Sequence, residues 1–233
     1  MNKHLFSSVI IFTVIFLSCE KEECDNLSNC EVGKLIYDSI ILQPDGNKGK
    51  DAFLFDMNPD QNYGNHEDFA AIAWTNSGIP VKVRGLIEFD LSGIPANAII
   101  DSAYLSLYSY DSPSNGSHST LSGTNASILL RIIDNWTESD VTWNNQPMTS
   151  DRNIVFLKEV SESFQHYLNI NVTSLIKETT SETAVNFGVM IRLVVEEYYR
   201  RLVFASSDNE NSELHPSLCV YYSIEEDNSP VND

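Results

Sequence analysis

A succession of short β-type runs constrains this chain of 233 residues more than any other feature. Runs such as LIYDSIIL, FAAIAW and FGVMIRLVV are separated by segments rich in Gly, Pro, Asn and Asp, which favour turns. Only VTSLIKE, Val172 to Glu178, predicts a helical turn, with Thr173 or Ser174 as its cap. About ten strands at this spacing, with no helices between them, predict an all-β fold: an antiparallel sandwich or barrel.

The phase of the strands predicts which side chains face outward. In SAYLSLYSY, aliphatic positions alternate with Tyr104 and Tyr108, and aliphatic side chains belong in a core. The same alternation assigns Arg131 and Arg192 to outer positions on their strands. We therefore expect the tyrosines and arginines to share one sheet surface.

Such a surface has two interpretations. Aromatic faces stack on sugar rings, and arginine pairs with a carboxylate through two hydrogen bonds, which together favour glycan binding. Tyrosine is also a good strand former on a solvated face, which needs no ligand at all.

The first eighteen residues are typical of an export signal. Leu5 to Leu17 is an apolar run of thirteen residues, shorter than a bilayer-spanning helix and suited to a signal-peptide core. The run ends in FLSC, which resembles a bacterial lipobox. Residues 1–18 are therefore predicted to be a lipoprotein signal peptide, with lipid on Cys19. An ordinary secretory signal followed by a chance cysteine is the alternative.

Residues 19–34 are polar and acidic and are predicted to be a linker. Their EKEECD resembles the surface-export signal of Bacteroidetes lipoproteins, which predicts anchoring by lipid to the outer membrane, exposed at the surface. A solvated acidic tether is the alternative. Cys24 and Cys30 fall in this linker and can pair in an oxidising compartment. Cys219 is expected to be a buried free thiol, and no cysteine spacing resembles a zinc site.

The charge of the chain excludes several kinds of partner. There are 14 Lys and Arg against 33 Asp and Glu; without residues 1–18, which contain Lys3 and no acidic residue, 13 against 33 leaves −20. Because phosphate binding needs clustered cations, bulk affinity for nucleic acid is excluded. Attraction to an anionic membrane is disfavoured too, so membrane contact is expected through the lipid alone.

The segment NWTESDVTWNNQP, residues 135–147, combines two tryptophans with two carboxylates. A glycosidase needs carboxyl groups about 5–10 Å apart across a cleft, whereas Glu138 and Asp140 are neighbours in a stretch rich in turn formers. We expect a structural loop in which Trp136 and Trp143 close one end of the sandwich, each with its indole N–H satisfied. A sugar-stacking platform is the alternative.

Six segments resemble, in the same order, the DNRLRE domain family, which overlaps carbohydrate-binding modules of alginate-lyase systems. They are NYG (62–64) after Asp51-Ala52-Phe53, IEFDLSGIPANAIIDSAYLSLY (87–108), the two-tryptophan loop, NVTSLI, NFGVMIR and FASSDN…HPSLCVYY. The resemblance covers residues 50–222, nearly all of the chain beyond the linker. It implies a β-sandwich of jelly-roll type in a secreted, polysaccharide-related protein.

The expected domain runs over residues 35–224, with a disordered acidic tail at 225–233. Two features depart from the family pattern. Asp208 stands where a glutamate is expected, and DSPSNGSHSTLSGTNA, residues 111–126, is an insertion rich in Ser, Gly and Asn between two strands. Such an insertion is either a mobile linker or a ligand-contacting loop at the rim of the sandwich.

A structural Ca²⁺ ion is the one cofactor that we weigh, since jelly-roll modules commonly carry one. Calcium takes about six to eight oxygen ligands, many of them carboxylate. The hard-oxygen candidates near the motifs are Asp51, Asp56, Asp60, Asn62 and Asp208. No EF-hand spacing supports them, and nearby aspartates also arise by chance in so acidic a chain.

No catalytic motif of the G-x-S-x-G, H-E-x-x-H or nucleophilic-cysteine type occurs in the sequence. We therefore predict a non-catalytic, polysaccharide-binding surface lipoprotein that serves a glycan-utilisation system. A structural or adhesion protein of the cell envelope without a glycan ligand is the first alternative. A small polysaccharide lyase is the second, and it would need a Tyr, His or Lys base beside a group that neutralises a carboxylate.

Overall fold

The computed structural model describes residues 34–44, 49–180 and 185–226. Within them the chain forms eleven strands and one α-helix, which confirms the all-β prediction. The strands are β1 Leu35–Leu42, β2 Gly49–Phe55, β3 Asp68–Asn76, β4 Ile79–Phe89, β5 Ile99–Leu107, β6 Ser127–Ile132, β7 Thr149–Leu157, β8 Tyr167–Asn171, β9 Val189–Leu193, β10 Arg200–Ala205 and β11 Ser217–Glu225; the helix is α1 Thr173–Thr179.

Two antiparallel sheets contain these strands. The first has the order β1-β11-β5-β8, and the second has the order β10-β3-β4-β9-β6-β7 with β2 also paired to β4. Most neighbours in the sheets are distant in sequence, so the chain passes repeatedly between the two layers, as in a jelly roll. The predicted antiparallel sandwich is confirmed.

The main core lies between the two sheets. From the first sheet β5 contributes Leu105 and Leu107, and β11 contributes Val220. From the second sheet come Phe69 and Phe204, whose ring centroids are 5.8 Å apart. Full burial of such a side chain stabilises the fold by about 1.5–3 kcal/mol, so this layer is the main source of stability.

The second sheet is covered on both faces. Opposite the main core, one cluster packs Leu54, Leu86 and Met190 beneath Trp136. Another cluster packs Phe53 and its neighbours from β3, β4 and β10. This explains why β3 begins with an almost unbroken apolar run, since strands buried on both faces lose the alternation of polar and apolar residues.

A two-residue turn joins β3 to β4. Its residues Ser77 (φ 51°) and Gly78 (φ 82°) both lie in the left-handed region, as in a type I′ hairpin turn. The turn fixes the register of the hairpin and places Trp74 opposite Val81. Both of these side chains line the cleft described below.

Helix α1 occupies the position predicted for a helical turn. It buries Leu175 and Ile176 against the main core. The prediction that Thr173 or Ser174 caps the helix was wrong. The N-cap residue is Val172, which makes no side-chain cap hydrogen bond. The hydroxyl of Thr173 instead accepts a hydrogen bond from Ala103 N on β5 at 2.9 Å, which ties the helix to the first sheet.

The two ends of the described chain meet at one end of the first sheet. The backbone N–H of Glu226 donates to Lys34 O at 2.8 Å, and Lys34 Nζ lies 3.3 Å from a carboxylate oxygen of Glu226. The predicted signal peptide, lipidation at Cys19, pairing of Cys24 with Cys30 and most of the linker and tail lie outside the described residues.

Cys219 is a free thiol, as expected, but it is only half buried. It lies on the outer side of β11, because the neighbouring Leu218 and Val220 fill the inner side. The expectation of a buried thiol was therefore wrong. Within the described residues no helix is long or apolar enough to cross a bilayer.

Candidate functional site

An aromatic cleft of about 460 Å³ opens on the second sheet beside the β3–β4 turn. Its floor is the apolar cluster of Phe53, Ile72 and Val83. The side chains that carry its chemistry are Phe55, Tyr63, His66, Trp74, Asn115 and Arg201. The cleft is thus an apolar surface bordered by a small number of polar groups, which is the usual composition of a ligand site.

Aromatic rings form one wall of this cleft. Tyr63 stacks on Phe53 with ring centroids 4.4 Å apart and planes 17° apart, and Phe55 meets Tyr63 edge-on at 6.1 Å. The hydroxyl of Tyr63 accepts a hydrogen bond from Asn58 Nδ2 at 2.8 Å. These contacts fix the ring positions, so the wall is organised before any ligand arrives.

Trp74 and Arg201 form another part of the cleft lining. The guanidinium carbon of Arg201 lies 4.6 Å from the Trp74 ring centroid, which is cation–π geometry. Tyr199 packs edge-on against the same indole at 5.1 Å. Burial lowers the pKa of Arg201 below its usual value, while the charge of Asp111 opposes that shift. The side chain supplies a cation next to an aromatic face.

The insertion at 111–126 is tied to β10 and reaches the cleft. Ser119 and Arg201 exchange two backbone hydrogen bonds of 2.9 Å, and Arg201 Nε donates to Ser117 O at 2.6 Å. Ser114 and Asn115 line the cleft. Of the two interpretations left open by the sequence, this placement favours a loop at the rim of a ligand site.

His118 anchors the same insertion in the interior. Its Nδ1 accepts a hydrogen bond from Val203 N at 3.0 Å, which leaves the proton on Nε2 for the 3.1 Å contact with Gln165 O. Burial lowers the pKa of His118 to about 4, so the ring is neutral at physiological pH. The insertion is therefore fixed by a neutral histidine with one defined tautomer.

The tyrosines and arginines assigned from strand phase do not form one surface. Tyr104 lies on β5 and Tyr108 just after it, both half buried beside the first sheet. Arg131 and Arg192 are in the second sheet. Arg131 bonds to Glu178 at 2.9 Å, on the side of β6 that faces α1, whereas Arg192 is on the opposite side of its sheet with Met190. The prediction that these tyrosines and arginines share one sheet surface was therefore wrong.

The two-tryptophan loop lies against the outer face of the second sheet. Trp136 is buried, and its indole N–H donates to Phe187 O at 2.9 Å. Lys50 Nζ lies 4.5 Å from the centroid of the Trp136 ring, and Arg84 lies 4.8 Å from that of Trp143. The tryptophans cover a sheet face rather than close an end of the sandwich.

Four motif residues from three separate segments of the chain meet where this loop contains Glu138. Asp51 N donates to Glu138 Oε1 at 2.9 Å, and Asn62 Nδ2 donates to Glu138 O at 2.7 Å. Gly64 passes so close to the Glu138 backbone that a Cβ atom would clash with it. The NYG and WTE segments are thus two sides of one contact, which gives them a packing role.

Asp51 is the buried centre of this group. One of its oxygens accepts a hydrogen bond from Ser207 N at 2.7 Å, and the other, Oδ1, is buried without a partner among the described residues. Burial raises the pKa of Asp51 to about 7; the Ser207 bond lowers it, and the charges of Asp208 and Glu138 raise it. Burial is also the main cause that raises the pKa values of Glu138 and Asp208.

The five predicted calcium ligands separate into two sets. Asp51, Asn62 and Asp208 belong to the group around Asp51. Asp56 and Asp60 lie elsewhere: Asp56 accepts a hydrogen bond from Lys82 N at 2.8 Å, and Asp60 accepts one from Asn144 Nδ2 at 2.7 Å. In residues 34–44, 49–180 and 185–226, no three His, Cys, Asp or Glu side chains are arranged to hold a metal ion. Calcium binding stays a prediction, which melting curves with CaCl₂ and with EDTA can test.

A comparison with known families decides the general class of the protein. The model of carbohydrate-binding module family 96 matches residues 45–222, about three quarters of the chain. The chain belongs to this family. No curated protein matches the chain.

Membership of carbohydrate-binding module family 96 makes carbohydrate binding the general function. The matched range runs from just before β2 into β11, so it contains every residue of the cleft and of the group around Asp51. The aromatic cleft is therefore the candidate site for a member of this family.

Sequence reasoning missed the cleft residues. Tyr63 lay in a recognised motif and His66 follows it closely, but nothing in the sequence placed them in one cleft with Arg201. Two sequence features could have indicated the cleft: the end of the FAAIAW strand and the insertion itself. They become informative only when the pairing of β3 with β10 is known.

Proposed function

We propose that the protein is a non-catalytic module that binds a polysaccharide in the cleft between Tyr63 and Trp74. The observation that carries this proposal is the pairing of Trp74 with Arg201 in an open, aromatic-lined cleft of a carbohydrate-binding family member. An indole face packs on the apolar face of a sugar ring, and the guanidinium binds hydroxyl or carboxylate oxygens.

The proposal includes the location of the module. Lipid on Cys19 would hold the protein at the outer membrane, and the acidic linker would carry the sandwich away from the bilayer as part of a glycan-utilisation system. The FLSC and EKEECD segments support this part. Incorporation of labelled palmitate, and its loss in Cys19→Ala, would test it.

Affinity gel electrophoresis tests the binding function. The lipid-free chain, residues 20–233, is run through gels that contain alginate, polygalacturonate or a neutral glucan. Retardation in at least one gel, reduced by Trp74→Ala, is the expected result. Equal mobility of the wild-type protein in every gel would contradict glycan binding and favour the structural or adhesion alternative.

One observation favours a second candidate, a polysaccharide lyase. The cleft brings together Tyr63, His66 and Arg201, which include both a potential base and a group that neutralises a carboxylate. Release of unsaturated sugar from alginate or polygalacturonate, seen as new ultraviolet absorbance, would establish this activity. Binding without product release would leave the non-catalytic function standing.

A further inference from the structure

The imidazole of His66 is held by a buried carboxylate at the wall of the cleft. Its Nδ1 lies 2.9 Å from Asp68 Oδ1, and Asp68 is fully buried at the start of β3. Asn115 Nδ2 contacts both oxygens of Asp68, at 3.0 and 3.2 Å. Because an ionised carboxylate only accepts hydrogen bonds, the ring nitrogen that faces Asp68 carries the proton.

This arrangement makes Nε2 the atom of His66 that gains or loses a proton. No described residue forms a hydrogen bond with Nε2, and the partly exposed ring lines the cleft. The neutral ring presents an acceptor at Nε2, and the protonated ring presents an N–H donor with a positive charge. The two states therefore suit different ligand groups.

The surroundings of the ring favour its protonated form. The hydrogen bond to Asp68 raises the pKa of His66, burial lowers it, and the charges of Asp68 and Glu67 raise it further. The other titratable or charged groups of the cleft are Tyr63 and Arg201. Packed around the ring, β2 contributes the neutral Phe53, the insertion Asn115, and the segment after β10 Ser206.

We propose that His66 is a pH-dependent ligand contact that selects for carboxylated glycans in acid. This inference rests on the proposed function of the cleft. As the pH falls, Nε2 becomes a charged donor and the cleft changes from one cation, Arg201, to two. In a chain of net charge −19, such a local pair of cations is what a carboxylated sugar requires. A neutral glycan gains nothing comparable.

Calorimetric titration of the lipid-free chain with alginate and with a neutral glucan tests this inference. The association constant for alginate is expected to rise roughly three- to tenfold between about pH 8 and about pH 5.5, as one added charge contact predicts. The constant for the glucan is expected to stay unchanged. His66→Gln removes the rise, while His166→Gln, a histidine outside the cleft, preserves it.

The outcomes separate the inference from the proposed function. Alginate binding that is independent of pH, or a rise that persists in His66→Gln, would overturn the role of His66 and leave the cleft as a glycan site. Absence of binding to either glycan, together with equal mobility in every affinity gel, would overturn both. Nitrogen-15 spectra of the free protein give a second readout: neutral His66 protonated on Nε2 instead of Nδ1 would refute the mechanism.

Discussion

Arg201 and Trp74 make the contact on which the proposed ligand site depends: the guanidinium carbon lies 4.6 Å from the centroid of the indole ring. The two residues come from β10 and β3, which pair antiparallel within the second sheet. Arg201 also bonds to Ser117 O in the insertion. One side chain thus connects the sheet, the inserted loop and the aromatic face.

Trp74→Ala is expected to weaken glycan association roughly tenfold or more, since loss of a large apolar contact removes at least about 1.4 kcal/mol. Calorimetric titration with the best-retarded glycan measures the change. Tyr104→Ala is the matched control, because this half-buried aromatic lies on the first sheet and should leave affinity unchanged. A loss confined to Tyr104→Ala would place the ligand on the first sheet.

Trp136→Phe is expected to lower stability by about 1–3 kcal/mol, because it leaves the carbonyl of the half-buried Phe187 without its indole donor. Trp136→Ala should cost about 3–5 kcal/mol through the cavity as well. Urea unfolding gives both values. Glycan affinity of the folded Trp136→Phe variant should equal that of the wild type, and a selective loss of affinity would indicate a sugar platform instead.

Acid is expected to destabilise the protein through His118. Its pKa falls from about 6.5 in the unfolded chain to about 4 in the fold, so the unfolded chain binds the proton more readily. The contribution of neutral His118 to the free energy of unfolding is fully present above about pH 6.5. It is lost as the pH falls towards about 4, and the loss amounts to up to about 3 kcal/mol. Urea unfolding over this range should show a weaker pH dependence in His118→Gln. An identical dependence would exclude His118 as the cause.

Asp51 has the opposite effect on stability to His118: it makes the protein less stable as the pH rises, over an overlapping pH range. Because its pKa is raised to about 7, the fold binds a proton that the unfolded chain releases near its ordinary value. This contribution is fully present below about pH 3.9 and is lost as the pH rises through about 7. Asp51→Asn should remove the dependence and gain stability relative to the wild type as the pH rises. Asp51→Ala leaves the Ser207 N–H without its hydrogen-bond acceptor, so this variant should be less stable than the wild type at every pH.

The fold was predictable because the first sheet follows a simple rule. Leu105 and Leu107 point inward from β5 and Tyr104 points outward, as the two-residue period requires. The second sheet is buried on both faces, so the same period is uninformative there. For this reason the period did not predict that Arg131 faces α1 and pairs with Glu178, a partner 47 residues away.

The site was less predictable than the fold. Its contacts join residues such as Arg201 and Ser117, which are 84 positions apart, through a strand register that local patterns do not encode. Four of the family motifs meet around buried Asp51, and two of them also supply Phe53 and Tyr63 to the cleft. Motif residues that stabilise a scaffold thus drew attention away from the less distinctive residues that face a ligand.

The meeting of Lys34 with Glu226 has a mechanical consequence. Leu35 pairs with Glu225, and the pairing of β1 with β11 runs from there to Leu42 and Leu218. A force that separates the two ends would peel β1 away one residue pair at a time, instead of shearing the whole strand at once. The edge of the first sheet would yield first, so tension on both ends would unzip the domain at the sheet that does not carry the cleft.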